Sequence, residues 1–253
     1  MLGSVAPPLV FGVSLLVLWQ LLVAVFDIKR YILPTPSQIF QSAVDDIDLI
    51  WKSVMVTGTN SLIGLVFGTM LGALVALATN RFRIVSELAA PLEVAARTIP
   101  IVVIVAVLNG MFALDTETSR RAMVTIAVFF IVYVNVTRGL RQSDPTKVEL
   151  MSSYAASPRQ VLRKVRIPNA MPFFFTAIRI SAPVAVITAF VAEYFGGRQN
   201  GLGYRITNAF NTGREPQGWA AVFGACILGL AFFIAGSLLE YYALPWQRRR
   251  ATG

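Results

Sequence analysis

Five ionisable side chains stand inside or beside long apolar runs: Glu93, Arg97, Arg179, Glu193 and Glu240. Burying a charge in hydrocarbon is costly, so groups of this kind are candidates for gating, pairing or transport. Glu93 and Arg97 are four apart and can pair along one helix face, a structural role. Glu193 precedes the Gly-rich stretch "GGRQNGLG", where it can pair with a basic loop residue or meet a docked protein. Glu240, beside Tyr241, Tyr242 and Trp246, reads as an interfacial anchor. Asn109 and Asn135 are polar positions in apolar runs. Lining a pathway and hydrogen-bonding between helices are both open to them.

Other chemistry is missing. The chain has no histidine, which removes His-based acid/base catalysis and zinc sites with His ligands. No carboxylate pair or metal-ligand spacing stands out, so a membrane enzyme lacks its reactive constellation. None of the four lysines lies in a Gly-x-x-x-x-Gly-Lys-[Ser/Thr] loop, so no phosphate cradle for ATP is present. Energy for any transport must come from another polypeptide or from an ion gradient. The lone Cys226 lies in an apolar run and reads as a small packing residue.

The elements that hold these residues follow from composition. Of 253 residues 56% are hydrophobic and 14% charged, with several apolar runs near membrane-spanning length. The fold class is therefore all-α, a polytopic membrane protein, organised as one transmembrane domain over residues 1–253. Six spans can be drawn: Leu9–Phe26 (read as a retained first span), Ser53–Thr79, Leu92–Phe112, Ala122–Thr137, Met171–Ala192 and Trp219–Leu239. The face holding the termini then carries twelve basic residues against eight on the other, which puts both termini in the cytoplasm. The net charge of +9 follows from that bias and calls for no nucleic-acid partner. Outside, the segment from about 27 to 52 contains "LPTPSQIF", with Ser37 as the expected N-cap of an amphipathic helix. In the second span Gly64, Gly68 and Gly72 form a small-residue stripe for close helix packing.

Between the fourth and fifth spans lies a basic insert, about residues 144–168. Asp144-Pro145 and Ser157-Pro158-Arg159-Gln160 are two helix-start signatures, the second a capping box. They predict two short helices with a bend around Tyr154–Ala156, the second ending at Ile167-Pro168. Val161, Leu162 and Val165 form an apolar side, and Arg159, Arg163, Lys164 and Arg166 supply cations. A positive cytoplasmic loop and a docking knuckle for a partner both fit this pattern.

The order Glu149, Ala155-Ala156-Ser157-Pro158, Ile167-Pro168, Met171-Pro172 resembles the EAA signature of permease subunits of ATP-binding-cassette (ABC) importers. "YILPTPSQIF", "RTIPIVVIVAVL" with Pro100, and "AIRISAPVAVITAFVAEYFGGRQNGLGYRI" resemble the nitrate/sulfonate/taurine branch of these permeases. The resemblance covers nearly the whole chain. It implies the type I importer fold, with the insert as cytoplasmic coupling helices seated on an ATPase. Glu149, Tyr154, Ala155, Ala156, Ser157, Pro158, Arg159, Arg163, Lys164 and Pro168 would form the contact. Arg97, Pro100, Asn109, Asn135, Arg179 and Glu193 are candidates for the pathway or its gate, Arg179 in a structural or gating role. ATP and magnesium would sit on the ATPase dimer, with no cofactor on this chain. A second permease subunit, an extracytoplasmic solute-binding protein and membrane lipid complete the expected partners. Two residues depart from the signature's alanines, Leu150 and Met151, and Ala155 stands where the signature has glycine. The rival reading is a stand-alone secondary transporter or channel, which predicts intramembrane ion-coupling groups and an inverted repeat.

Overall fold

The computed structural model describes residues 2–82, 84, 87–88, 101–112, 116–196 and 198–245. The described residues form helices α1 (Leu2–Val25), α2 (Pro36–Asp45), α3 (Ile47–Arg81), α4 (Ile101–Met111) and α5 (Thr118–Arg141). There follow α6 (Pro145–Ser153), α7 (Pro158–Val161), a π-helical turn (Leu162–Arg166), α8 (Ile167–Tyr194), α9 (Gly201–Asn211) and α10 (Glu215–Ala243). An all-helical chain is what lipid demands, since each backbone N–H and C=O must be satisfied within its own segment. Among the described residues four segments are each long and apolar enough to cross a membrane: α3, α5, Pro158–Tyr194 and α10. The apolar helix α1 covers most of the expected first span, and α4 covers the second half of the expected third span, whose first half, residues 92–100, lies outside the described residues.

Helix α3 has 35 residues. At 1.5 Å per residue it is about 52 Å long, well beyond the ~30 Å hydrocarbon layer. Its glycine stripe lies against α5. A Cβ added at Gly64 would stand 2.4 Å from the Val124 side chain, and one at Gly68 would stand 2.7 Å from the Thr125 carbonyl. At Gly72 it would stand 2.8 Å from the Phe129 carbonyl. The stripe is thus a packing surface within the chain, and it lets Val124, Val128 and Val132 of α5 become fully buried. On α8 the alanines Ala177, Ala185 and Ala189 close the same core. Helix α9 buries Leu202 and Ile206 against α8 and α10. The long helices place Asp46, Thr118, Tyr194 and Glu215 at one end of the bundle, the far end, and the insert at the opposite, knuckle end.

Two local expectations are corrected. The N-cap of α2 is Thr35 and not Ser37: its Oγ1 accepts from the Gln38 amide at 3.3 Å, and Gln38 Oε1 accepts from the Thr35 amide at 3.2 Å. Pro36, with preset φ and no N–H to lose, takes the first helical position. Nor does the helix stop at Ile167-Pro168. Residues Arg166 and Ile167 keep right-handed helical dihedrals, and the Ile167 amide reaches back to the Leu162 carbonyl. The wider π turn spares the clash between the Pro168 ring and the carbonyl four residues back, so the chain runs without a break into α8.

Gly68→Ala is expected to lower stability by about 1–3 kcal/mol, because a backbone carbonyl blocks the new methyl. Gly110→Ala, where a Cβ meets nothing within 4 Å, should be neutral or better. Thermal unfolding in mild detergent compares the two; equal effects would mean that the stripe is not tightly interlocked.

Candidate functional site

At the knuckle end, each turn of the insert has a local cause. Asp144 Oδ1 accepts from the Thr146 amide at 3.0 Å and Pro145 opens α6. The exit is a Schellman closure: the Ala156 amide donates to the Met151 carbonyl at 3.0 Å and the Ala155 amide to the Ser152 carbonyl at 2.9 Å. That closure needs a left-handed residue at its turn. Ala155 supplies it with φ of 53°, at a cost of about 1 kcal/mol relative to glycine. The capping box at Ser157 then restarts the chain: its amide donates to Gln160 Oε1 at 2.7 Å, and its Oγ accepts from the Gln160 amide at 3.4 Å.

The result is a projecting knuckle. It leaves Glu149, Tyr154, Ala155, Ser157, Pro158, Arg159, Arg163, Lys164 and Pro168 exposed, with Ala156 half-buried. Tyr154 is 76% exposed and Leu150 55%. Bare apolar side chains beside free cations, held by three capping devices, form a rigid surface suited to protein docking.

Among the described residues the pathway candidates do not converge. Arg97 and Pro100, and the Glu93–Arg97 pairing, lie outside the described residues. Asn135 Nδ2 donates to the Ile131 carbonyl of its own helix at 2.8 Å. Asn109 Oδ1 accepts from Ser119 Oγ at 2.5 Å, joining α4 to α5. Arg179 pairs with Glu240 at 2.8 Å, and Thr176 Oγ1 donates to the same carboxylate at 2.6 Å. Glu240 is therefore a partner for Arg179 between α8 and α10, and its reading as a simple interfacial anchor is corrected. Arg179 and Glu193 are 14 residues apart on α8, about 21 Å, too far to share a site.

Glu193 departs most from expectation. It is 2% exposed, forms no ion pair among the described residues and is shielded from the surface, where a docked protein would sit. Its Oε2 accepts from Thr57 Oγ1 at 2.8 Å and from the Gly203 amide at 3.1 Å. Thr57 Oγ1 in turn accepts from the Leu202 amide at 3.0 Å. The first glycine of "GLG" makes room for the Glu193 carboxylate, and the second lets α9 approach the α8 backbone at Phe190 and Tyr194. Gly201 has φ of 82°, and a Cβ there would stand 2.4 Å from the Glu193 carboxyl carbon.

Beside it lies a network that sequence reasoning missed. Glu117, just outside the spanning part of α5, accepts from Asn60 Nδ2 and Arg120 Nη1, each at 2.8 Å, and from Asn200 Nδ2 at 2.7 Å. Arg120, 1% exposed, also donates to Asn200 Oδ1 and to the Arg198 carbonyl. Arg121 Nε donates to Asn60 Oδ1 at 3.0 Å. The only sequence signal was Asn60, a lone amide in a span with no charge. Burial alone would push the Glu117 carboxyl up, but the Asn200 hydrogen bond, the Arg120 charge and Asn60 hold it below its ordinary 4.5. Two polar cavities flank the network. One of about 480 Å³ is lined by Asp46, Lys52, Ser53, Tyr204, Arg205 and Arg214. The other, about 380 Å³, includes Thr59, Arg121 and Arg198. Among the described residues no three His, Cys, Asp or Glu side chains gather as a metal site.

The sequence pattern of the family described as "binding-protein-dependent transport system inner membrane component" matches residues 64–249. The chain belongs to that family. Among similar permeases, the formylaminopyrimidine transport permease protein of Halalkalibacterium halodurans is 30% identical over 244 residues, 96% of each chain. The putative aliphatic sulfonates transport permease protein of Bacillus subtilis is 24% identical, over 92% of this chain and 84% of its own. The fold matches an amino acid ABC transporter crystal structure with a TM-score of 0.66 at 18% identity, over 80% of this chain and 98% of that one. An inward-facing methionine ABC transporter matches with a TM-score of 0.57, again at 18% identity, over 78% and 94%. The resemblance read from the EAA region, and the all-helical importer-permease fold it implied, are both borne out. The chain is thus a multi-pass membrane permease of an ABC importer.

Two outcomes test this geometry. Ala155→Gly should relieve the left-handed strain and slow amide exchange at Ala156 about fivefold, the equivalent of about 1 kcal/mol. Unchanged exchange would place the strain elsewhere. For Glu117, the depressed folded value means its stabilisation is complete above the unfolded 4.5 and is lost as pH falls through the lower folded value. Thermal scans from neutral pH to about pH 3 should show a steeper acid loss in the wild type than in Glu117→Gln.

Proposed function

We propose that this permease is driven by ATP hydrolysis on a separate cytosolic ATPase pair, which docks on the knuckle formed by residues 144–168. The observation that carries the reading is the knuckle: it is capped at each turn, exposes Leu150 and Tyr154, and presents Arg159, Arg163 and Lys164 beside them. Such a surface suits a groove that combines apolar and acidic character. Two permease subunits, identical or paralogous, enclose the pathway, and closing of the ATPase pair rotates them between outward and inward access. Both termini and the knuckle then face the cytoplasm, in keeping with the distribution of basic residues. The far end faces outward, where an extracytoplasmic binding protein delivers solute near the polar cavities. The names of the relatives support a small solute of the formylaminopyrimidine or sulfonate kind. ATP and magnesium belong to the ATPase.

The test is co-purification in mild detergent. The permease should retain an ATPase subunit, and Arg163→Glu with Lys164→Glu should lower the retained amount about tenfold or more, as for loss of a charge-complementary contact. Full retention by the double variant would reduce the knuckle to a positive loop. Absence of any ATPase from the wild type, with transport independent of ATP, would favour the stand-alone transporter.

A further inference from the structure

Glycine packing joins α3 and α5 into one body, and the far end of that body holds Thr57 against Glu193 and Asn60 against Glu117. At the knuckle end Leu162 and Ile167 pack on the core of that body and Gly139 lets α5 approach Ala170, and among the described residues two polar side chains add hydrogen bonds on either side of Pro168. Arg166, the last residue of the π turn, donates from Nη1 to Asn80 Oδ1 at 2.8 Å, and Asn80 lies in the last turn of α3. Asn169 Nδ2 donates to the Gly139 and Gln142 carbonyls at the end of α5, at 2.9 and 3.2 Å. These two donors flank Pro168. A π turn followed by proline has a weakened backbone ladder, so it is the natural place for the segment to hinge. Without the two contacts, movement of the knuckle would be absorbed at that joint. With them, the joint is bridged to both helices.

We propose that Asn80, Arg166 and Asn169 are positioning residues for transport: they pin the coupling segment to the α3–α5 pair, so that knuckle movement reaches the polar network at the far end. The proposal rests on the ATPase-docking reading above. Asn80 and Asn169 lie outside the docking segment, and Arg166, at its end, is half-buried with its guanidinium turned to Asn80; none of the three lines the far-end cavities. Coupling then travels through a body with rigid packing and two defined fastenings.

The test uses the full complex with its co-purified ATPase. Cys226→Ser removes the single cysteine, and Thr59→Cys places a thiol at the far-end cavity. Maleimide labelling of that thiol is compared with and without ATP plus vanadate. Labelling in the pinned protein should change about fivefold or more, a typical coupling free energy. In Asn80→Ala and in Asn169→Ala the ratio should fall to about 1, with ATP hydrolysis within about twofold of the starting value. Arg166→Lys combined with Asn80→Asp, which replaces the pin with an ion pair, should restore the response. A full response in both alanine variants overturns the proposal. So does loss of complex assembly in them, which would make the residues structural only. No response in the pinned protein, despite ATP hydrolysis, overturns the docking reading itself and the proposal with it.

Discussion

Close approach of α3 and α5 is the constraint on which the rest of this permease depends. In lipid there is no hydrophobic drive to bring one apolar helix to another, so packing and buried polar contacts must do it. Gly64, Gly68 and Gly72 remove every side chain that would hold α5 away, and Val124, Val128 and Val132 fill the space. The remaining helices are fitted to this pair: α8 with its alanines, α4 through Val105 and Met123, and α10 against α8. Each glycine contact is small, but the three lie one turn apart and act as one surface.

The two ends of that pair differ in chemistry. At the far end, polar groups are buried and largely paired: Arg120 with Glu117 and Asn200, and Glu193 Oε2 with Thr57 and the Gly203 amide, while Arg120 Nε and Glu193 Oε1 have no hydrogen-bond partner among the described residues. Burying such charges gives little net stability, but removing one partner would leave the other uncompensated, so the arrangement is specific. At the knuckle end, polar and apolar groups are exposed and the backbone does the holding, through an N-cap, a Schellman closure and a capping box. One end is closed on itself and the other is presented to solvent, the contrast on which the docking proposal rests.

What could be read in the sequence is what local physics decides. Pro145 and Pro158 behind Asp144 and Ser157 announced both short helices and a bend around Tyr154–Ala156, whereas the left-handed conformation of Ala155 is seen only in the structure. The glycine period announced the packing stripe. What could not be read depends on contacts between residues far apart in the chain. Arg120 counted as one more cation on the outer side, yet it is buried because Glu117 and the loop at 198–200 close over it. Glu193 looked like a group for a basic loop residue or a docked protein, but Thr57, 136 positions earlier, had no signature to give it away. The run through Ile167-Pro168 was misread for a different reason: a π turn relieves a proline clash that a regular α-helix cannot.

Family membership assigns this chain to import and leaves the energy source as the central claim. A photo-crosslinking side chain placed at Tyr154, 76% exposed on the knuckle, tests it most directly against one at Phe40, 72% exposed at the far end. In cells making the whole transporter, the account predicts a covalent adduct with an ATP-binding subunit from position 154 and none from position 40. No adduct at 154, or an ATPase adduct at 40, would contradict it.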